Sequence, residues 1–193
     1  MVAADPASLS DRTRARLIGI AGIVIILLSA GAALLPFAER ISGSRIIGSL
    51  LVLAGIFEML AGTLRRRVRL EAMLAGAVTT LAGLLFILNP TLNLLPTVYV
   101  IVGWLLIRGA ILLVASKEAG GSVRMWTSLS AAMDILLAIF LILGLHIATF
   151  VIALFGDTPP LIASFAWVLA LSFVVTGTLL LEVASCEREA AAA

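Results

Sequence analysis

Three features of this 193-residue sequence predict an all-α fold: an integral membrane six-helix bundle built from three repeated helical hairpins. They are six apolar runs of bilayer-spanning length, a hairpin unit that recurs along the chain, and bases gathered on alternate connections. At 62% hydrophobic and 12% charged residues, with a mean hydropathy of +1.22, the chain carries more apolar surface than one water-soluble core absorbs. The runs extend from Leu17 to Phe37, Ile46 to Leu64, Ala72 to Leu88, Leu94 to Ser116, Met125 to Leu145 and Leu161 to Leu181. A helix rising about 1.5 Å per residue needs roughly 17 to 25 residues to cross the hydrocarbon, and every run falls in that range. Closed barrels, the other spanning solution, need a strict alternation that is absent here. Residues 1–193 therefore read as one transmembrane domain, with hairpins over about 15–66, 69–118 and 124–185.

Taken in order, the elements alternate in where they leave their bases. Arg12, Arg14 and Arg16 precede the first helix, and Arg65, Arg66, Arg67 and Arg69 follow the second. Lys117 and Arg124 lie between the fourth and fifth, and Arg188 follows the sixth. The opposite connections hold only Arg40 and Arg45. Short loops rich in Lys and Arg stay in the cytoplasm, so both the N and the C terminus are expected there. The formal net charge of +2 comes from these flanking bases, and no aromatic residues are interleaved with them as a nucleic-acid surface needs, so nucleic acid is excluded as a partner. The Arg65 to Arg67 cluster reads as a topology anchor in preference to a specific anionic-lipid site. The first run, followed by Ala30, Gly31 and Ala32, resembles a signal peptide only superficially, because it is longer than a signal core of about 7 to 15 residues and takes part in the repeat.

That repeat is carried by small residues and prolines. Gly22 precedes Pro36 by 14 residues in the first helix, and Gly76 precedes Pro90 by 14 in the third, an offset of 54. Gly55 and Gly109 keep the same offset in the second and fourth helices. The third hairpin is a worn copy, with Ala132 and His146 in the glycine and proline places. Pro36 and Pro90 are expected to terminate helices at the outer ends, where a missing N–H costs least. Lipid provides no hydrophobic force between helices, so their approach depends on small side chains. Ala54 with Glu58 and Gly62, and Ala75 with Thr79 and Gly83, form four-residue ridges, and Gly19 and Gly22 add a smaller one, which together predict tight packing.

Three ionisable residues fall within the spans: Glu58, Arg108 and Asp134. Glu58 lies seven residues before Arg65, Arg108 nine before Lys117 and Asp134 ten after Arg124, which places all three roughly 10 to 15 Å from the same boundary. Each costs on the order of 2.5 to 3.5 kcal/mol at the centre of an inserted helix, so all three are expected to turn inward, with Arg108 pairing one carboxylate or bridging both. Such a cluster either locks helices from three hairpins in register or, with two acids to one base, responds to protons.

No other constellation carries chemistry. His146 and the lone Cys186 have no partners at ligand spacing, so neither a metal nor any other cofactor is implied. One histidine at the outer edge assembles no catalytic triad, and Gly19 to Gly22 lie within a span and form no phosphate loop. Trp126 suits an interface anchor, whereas Trp104 and Trp167 are expected to pack between helices. Ile147 to Phe155 is too short to span and is expected along the outer interface.

Gly22 to Pro36, Gly76 to Asn89 and Pro90, the run Trp104-Leu-Leu-Ile-Arg108-Gly109, and Met133-Asp134-Ile135 ahead of an apolar stretch together resemble the HdeD-like proteins. These are small six-helix bacterial membrane proteins made of a short repeat, and the likeness covers nearly the whole chain. It implies a bacterial inner-membrane location and an association with acid resistance, and Arg108 and Asp134 fall on positions like the family's recurring charged ones. The third hairpin departs from the pattern at His146 and in its longer connection through Asp157, Pro159 and Pro160. Two functions follow as expectations. One is a non-enzymatic protein supporting envelope or acid-stress tolerance; the alternative is a small-solute or proton transporter or channel that uses the charge cluster. The partners expected are the lipid bilayer and, as an open alternative, further copies of the chain in a homo-oligomer.

Overall fold

Inside hydrocarbon every backbone N–H and C=O must bond within its own segment, and apolar runs of this length meet that demand as helices. A computed structural model describes residues 11–34, 43–65, 68–92, 97–143 and 160–190. These hold six helices: α1 (Asp11–Leu34), α2 (Gly43–Leu64), α3 (Arg69–Leu92), α4 (Thr97–Glu118), α5 (Gly121–Ile142) and α6 (Pro160–Ala190). All six are long and apolar enough to cross a membrane, and the chain is a multi-pass membrane protein with no strand among the described residues. The helices outrun the apolar stretches, because hydropathy marks where lipid lies rather than where hydrogen bonding stops. Thus α1 begins six residues before Leu17, and α6 continues nine past Leu181. Pro90 sits inside the last turn of α3, which runs on to Leu92, so it does not end the helix as the sequence suggests. Only the Phe86 carbonyl loses a helical donor to it, a small loss at a helix end. Pro36, Arg66, Arg67, His146 and Ile147 to Phe155 lie outside the described residues.

Each helix packs against its neighbours in the chain, and α6 returns to α1, so the six form a closed ring. The most extensive contacts do not lie within the hairpins α1–α2, α3–α4 and α5–α6. They join α2 to α3, α6 to α1, and α4 to α5. Small residues explain the preference. On α2, Gly48, Gly55 and Gly62 recur every seven residues and face Gly83, Gly76 and Ala72 on α3. A methyl group on Gly55 would stand 2.5 Å from the Thr80 backbone N and 2.7 Å from the Gly76 carbonyl O, so the two backbones touch where no side chain intervenes. The four-residue ridges expected on α2 and α3 are thereby divided: Gly62 and Gly83 serve this seam, while Ala54, Glu58, Ala75 and Thr79 are buried. Gly22 meets Gly177 of α6 in the same manner, and Ser29 Oγ donates across that seam to the Ala170 carbonyl at 3.0 Å. Gly109, the repeat mate of Gly55, packs on Ala131 and Ile135 of α5. The turn from α4 to α5 is closed by Gly121, whose φ of +55° lies in the left-handed region that only glycine enters freely.

The ring interior holds Ile18, Ile25, Leu51, Ile101, Leu105, Leu169 and Phe173, all essentially inaccessible. Towards the end opposite the arginines, Phe86 and Phe165 meet edge to face with centroids 6.5 Å apart.

Candidate functional site

The polar exception to this interior is a hub centred on Arg108. Its side chain is 1% exposed, against 0% for Asp134 and 8% for Glu58. The three residues singled out by the sequence are brought together: Arg108 Nη2 donates to Glu58 Oε1 at 2.9 Å, and Nη1 donates to Asp134 Oδ2. Nε lies 3.4 Å from Glu58 Oε2. A guanidinium offers five N–H donors in a rigid fork, and two remain after these contacts. They go to α6, where Ser172 Oγ accepts from Nη1 at 3.3 Å and Thr176 Oγ1 accepts from Nη2 at 2.6 Å. Every donor of the buried cation is used.

The surrounding groups fix the acceptors in turn. Ser172 Oγ donates to Asp134 Oδ1 at 2.7 Å, so the hydroxyl bridges cation and anion. Thr176 donates back to the Ser172 carbonyl at 2.8 Å, the local bond that hydroxyls four residues apart make within a helix. On the other flank, Trp104 Nε1 donates to Thr79 Oγ1 at 3.1 Å, and Thr79 has the Ala75 carbonyl at 3.0 Å and Glu58 Oε2 at 3.4 Å as acceptors. Trp104 is four residues before Arg108 on α4, which stacks both on one helix face. Five helices, α2 to α6, thus supply the hub.

Three further polar residues in or near the hub escape a reading of charges alone. Ser172 and Thr176 are detectable only as a polar pair at helical spacing in the apolar α6, and nothing in the sequence says that they do more than bond their own backbone. The third is Arg65, two helical turns beyond Glu58 and 7% exposed. Burial pushes its guanidinium below the usual range, and the charges of Glu58 and Glu187 act in the opposite direction. Glu187 itself accepts from Arg14 Nη2 at 2.8 Å, tying the last turns of α6 to the start of α1. Cys186 is partly buried with its Sγ 3.6 Å from Ser122 Oγ. Trp126 and Trp167 are half-buried, unlike Trp104.

Fold and site define a class: a multi-pass membrane protein whose helices close around a buried, hydrogen-bonded ion cluster. Its sequence matches the family described as a short repeat of unknown function, DUF308, over residues 20–87 and again over 74–143, and the chain belongs to that family, as the HdeD-like proteins do. The two matches begin 54 residues apart, the offset that relates Gly22 to Gly76. No curated protein and no solved structure gives a significant match.

Proposed function

We propose that the protein is a non-enzymatic component of the bacterial inner membrane, with both termini in the cytoplasm, that supports envelope integrity or tolerance of acid stress. In this reading the hub is a structural lock. The observation that carries it is that Arg108 is held by two carboxylates from two helices and two hydroxyls from a third, with no donor left over. Neutralising either acid leaves an ion pair in place, so the ring stays closed where a single buried pair would be broken. Family membership and the resemblance to the HdeD-like proteins support the link to acid tolerance, and the bases on one side of the bundle support the orientation.

A transporter needs water or substrate to reach the ions and a cation free to exchange partners. A guanidinium with five occupied donors is poorly suited to that, and its carboxylates are buried with it. Two measurements test the proposal. Purified protein in liposomes loaded with a pH-sensitive dye is expected to pass protons no faster than empty liposomes. Cells lacking the protein are expected to survive acid poorly and to be rescued by the native chain, with weaker rescue by a chain carrying both Glu58→Gln and Asp134→Asn. Flux above the empty liposomes would favour transport, and equal survival with and without the protein would end the acid-tolerance reading.

A further inference from the structure

The α1–α2 seam is open on the outer surface. A groove of about 280 Å³ runs along it on the outer surface, walled by Leu17, Ile20 and Ala21 of α1 and by Phe57, Leu60 and Ala61 of α2. Ile20 and Leu60 are each 54% exposed, while Ala21 and Ala61 form a buried floor. The groove is apolar and opens towards lipid, at the arginine-rich end of the bundle.

Two arginines adjoin its lining residues in the chain: Arg16 precedes Leu17, and Arg65 follows Leu64. Arg16, exposed, is one helical turn before Ile20, and Arg65 is one turn beyond Ala61. Arg65 carries an unmet need: its side chain is buried, its Nε has no acceptor, and no ion pair holds it among the described residues. The acids nearby are already engaged, Glu187 and Asp11 with Arg14, and Glu58 with Arg108. A buried guanidinium N–H without an acceptor is costly, and an anion from outside the chain removes that cost.

We infer that this groove binds an anionic phospholipid, with an acyl chain along the apolar walls and the phosphate accepting from Arg65, assisted by Arg16. The pieces are in the order a lipid requires: the base sits at headgroup depth and the slot runs inward from it. A second protein chain would need no such base at the groove's end. The bound lipid would also fill the seam between α1 and α2, where no interhelical glycine contact closes the ring among the described residues.

Native mass spectrometry of the detergent-purified full chain tests this, with dioleoyl phosphatidylglycerol and dioleoyl phosphatidylcholine as probes. The anionic lipid is expected to be retained at concentrations at least roughly tenfold lower than the zwitterionic one. Arg65→Gln is expected to abolish that preference. Ile20→Trp, which narrows the groove at an exposed wall without touching the core, is expected to reduce retention while circular dichroism stays native, and it keeps the test valid if the Arg65 variant misfolds. Arg124→Gln, an exposed base on α5, is expected to change nothing. Equal retention of both lipids, a preference that survives both groove variants, or a dimer that Ile20→Trp dissolves would overturn the inference, the last by showing a second copy in the groove.

Discussion

The α2–α3 seam and the Arg108 hub bring helices together by opposite means, although α2 takes part in both. The seam is periodic: glycines seven residues apart let two backbones touch, and a slip of one repeat, about 10.5 Å, would again set small residues against small residues. The hub is unique. Glu58 reaches Arg108 in one register only, and a seven-residue slip of α2 would carry its carboxylate out of reach. Glycine seams therefore provide proximity at low steric cost, and the buried ions choose among the alignments that the seams permit. This division matches the best-attested role of buried polar groups, which is to specify register at some expense in stability.

The largest effect expected from breaking this arrangement is at the hub. Arg108→Met leaves two buried carboxylates without their cation and is expected to cost about 3 to 5 kcal/mol, enough to lose monodisperse protein in size-exclusion chromatography. Adding Glu58→Gln and Asp134→Asn to it is expected to recover a helical bundle but not a single register, read by disulfide trapping between cysteine pairs placed across α2 and α3. Next in size is the seam. Gly55→Leu forces apart backbones already in contact and is expected to lower stability by about 1 to 3 kcal/mol in denaturant unfolding. Gly103→Ala, where a methyl group meets nothing within 4 Å, is expected to be neutral or stabilising in the same assay. A smaller loss, about 1 kcal/mol, is expected for Trp104→Phe, which removes the donor to Thr79 while keeping an aromatic ring. The smallest is Arg14→Gln at the partly exposed Arg14–Glu187 pair, where thermal melting should register roughly 0.2 to 1 kcal/mol.

The existence of six helices was legible because crossing lipid imposes a length and a composition that few other constraints imitate. Their partners were harder to read. A hairpin follows from a short connection, but which helices pack most closely depends on faces, and the decisive spacing was seven residues through Gly48, Gly55 and Gly62 rather than the four-residue ridges. At the hub, Glu58, Arg108 and Asp134 were visible because a charge inside a membrane is expensive. Ser172 and Thr176 were hidden because a hydroxyl satisfied by its own helix costs little, so its presence signals nothing. Arg65 was hidden differently, as one base in a run of three whose position at a helix end already has a sufficient explanation.

A structural lock requires a hub sealed from water, and chemical labelling measures that directly. With Cys186→Ser removing the native thiol, Ser172→Cys puts a thiol where the hydroxyl touches both Arg108 and Asp134, and Ser122→Cys provides an exposed control. In native membranes opened to both faces, a water-soluble maleimide is expected to modify the Ser122→Cys protein and to leave the Ser172→Cys protein unmodified until it is denatured. Modification of both at similar rates would mean that water reaches the ions, and the lock would give way to a conduit.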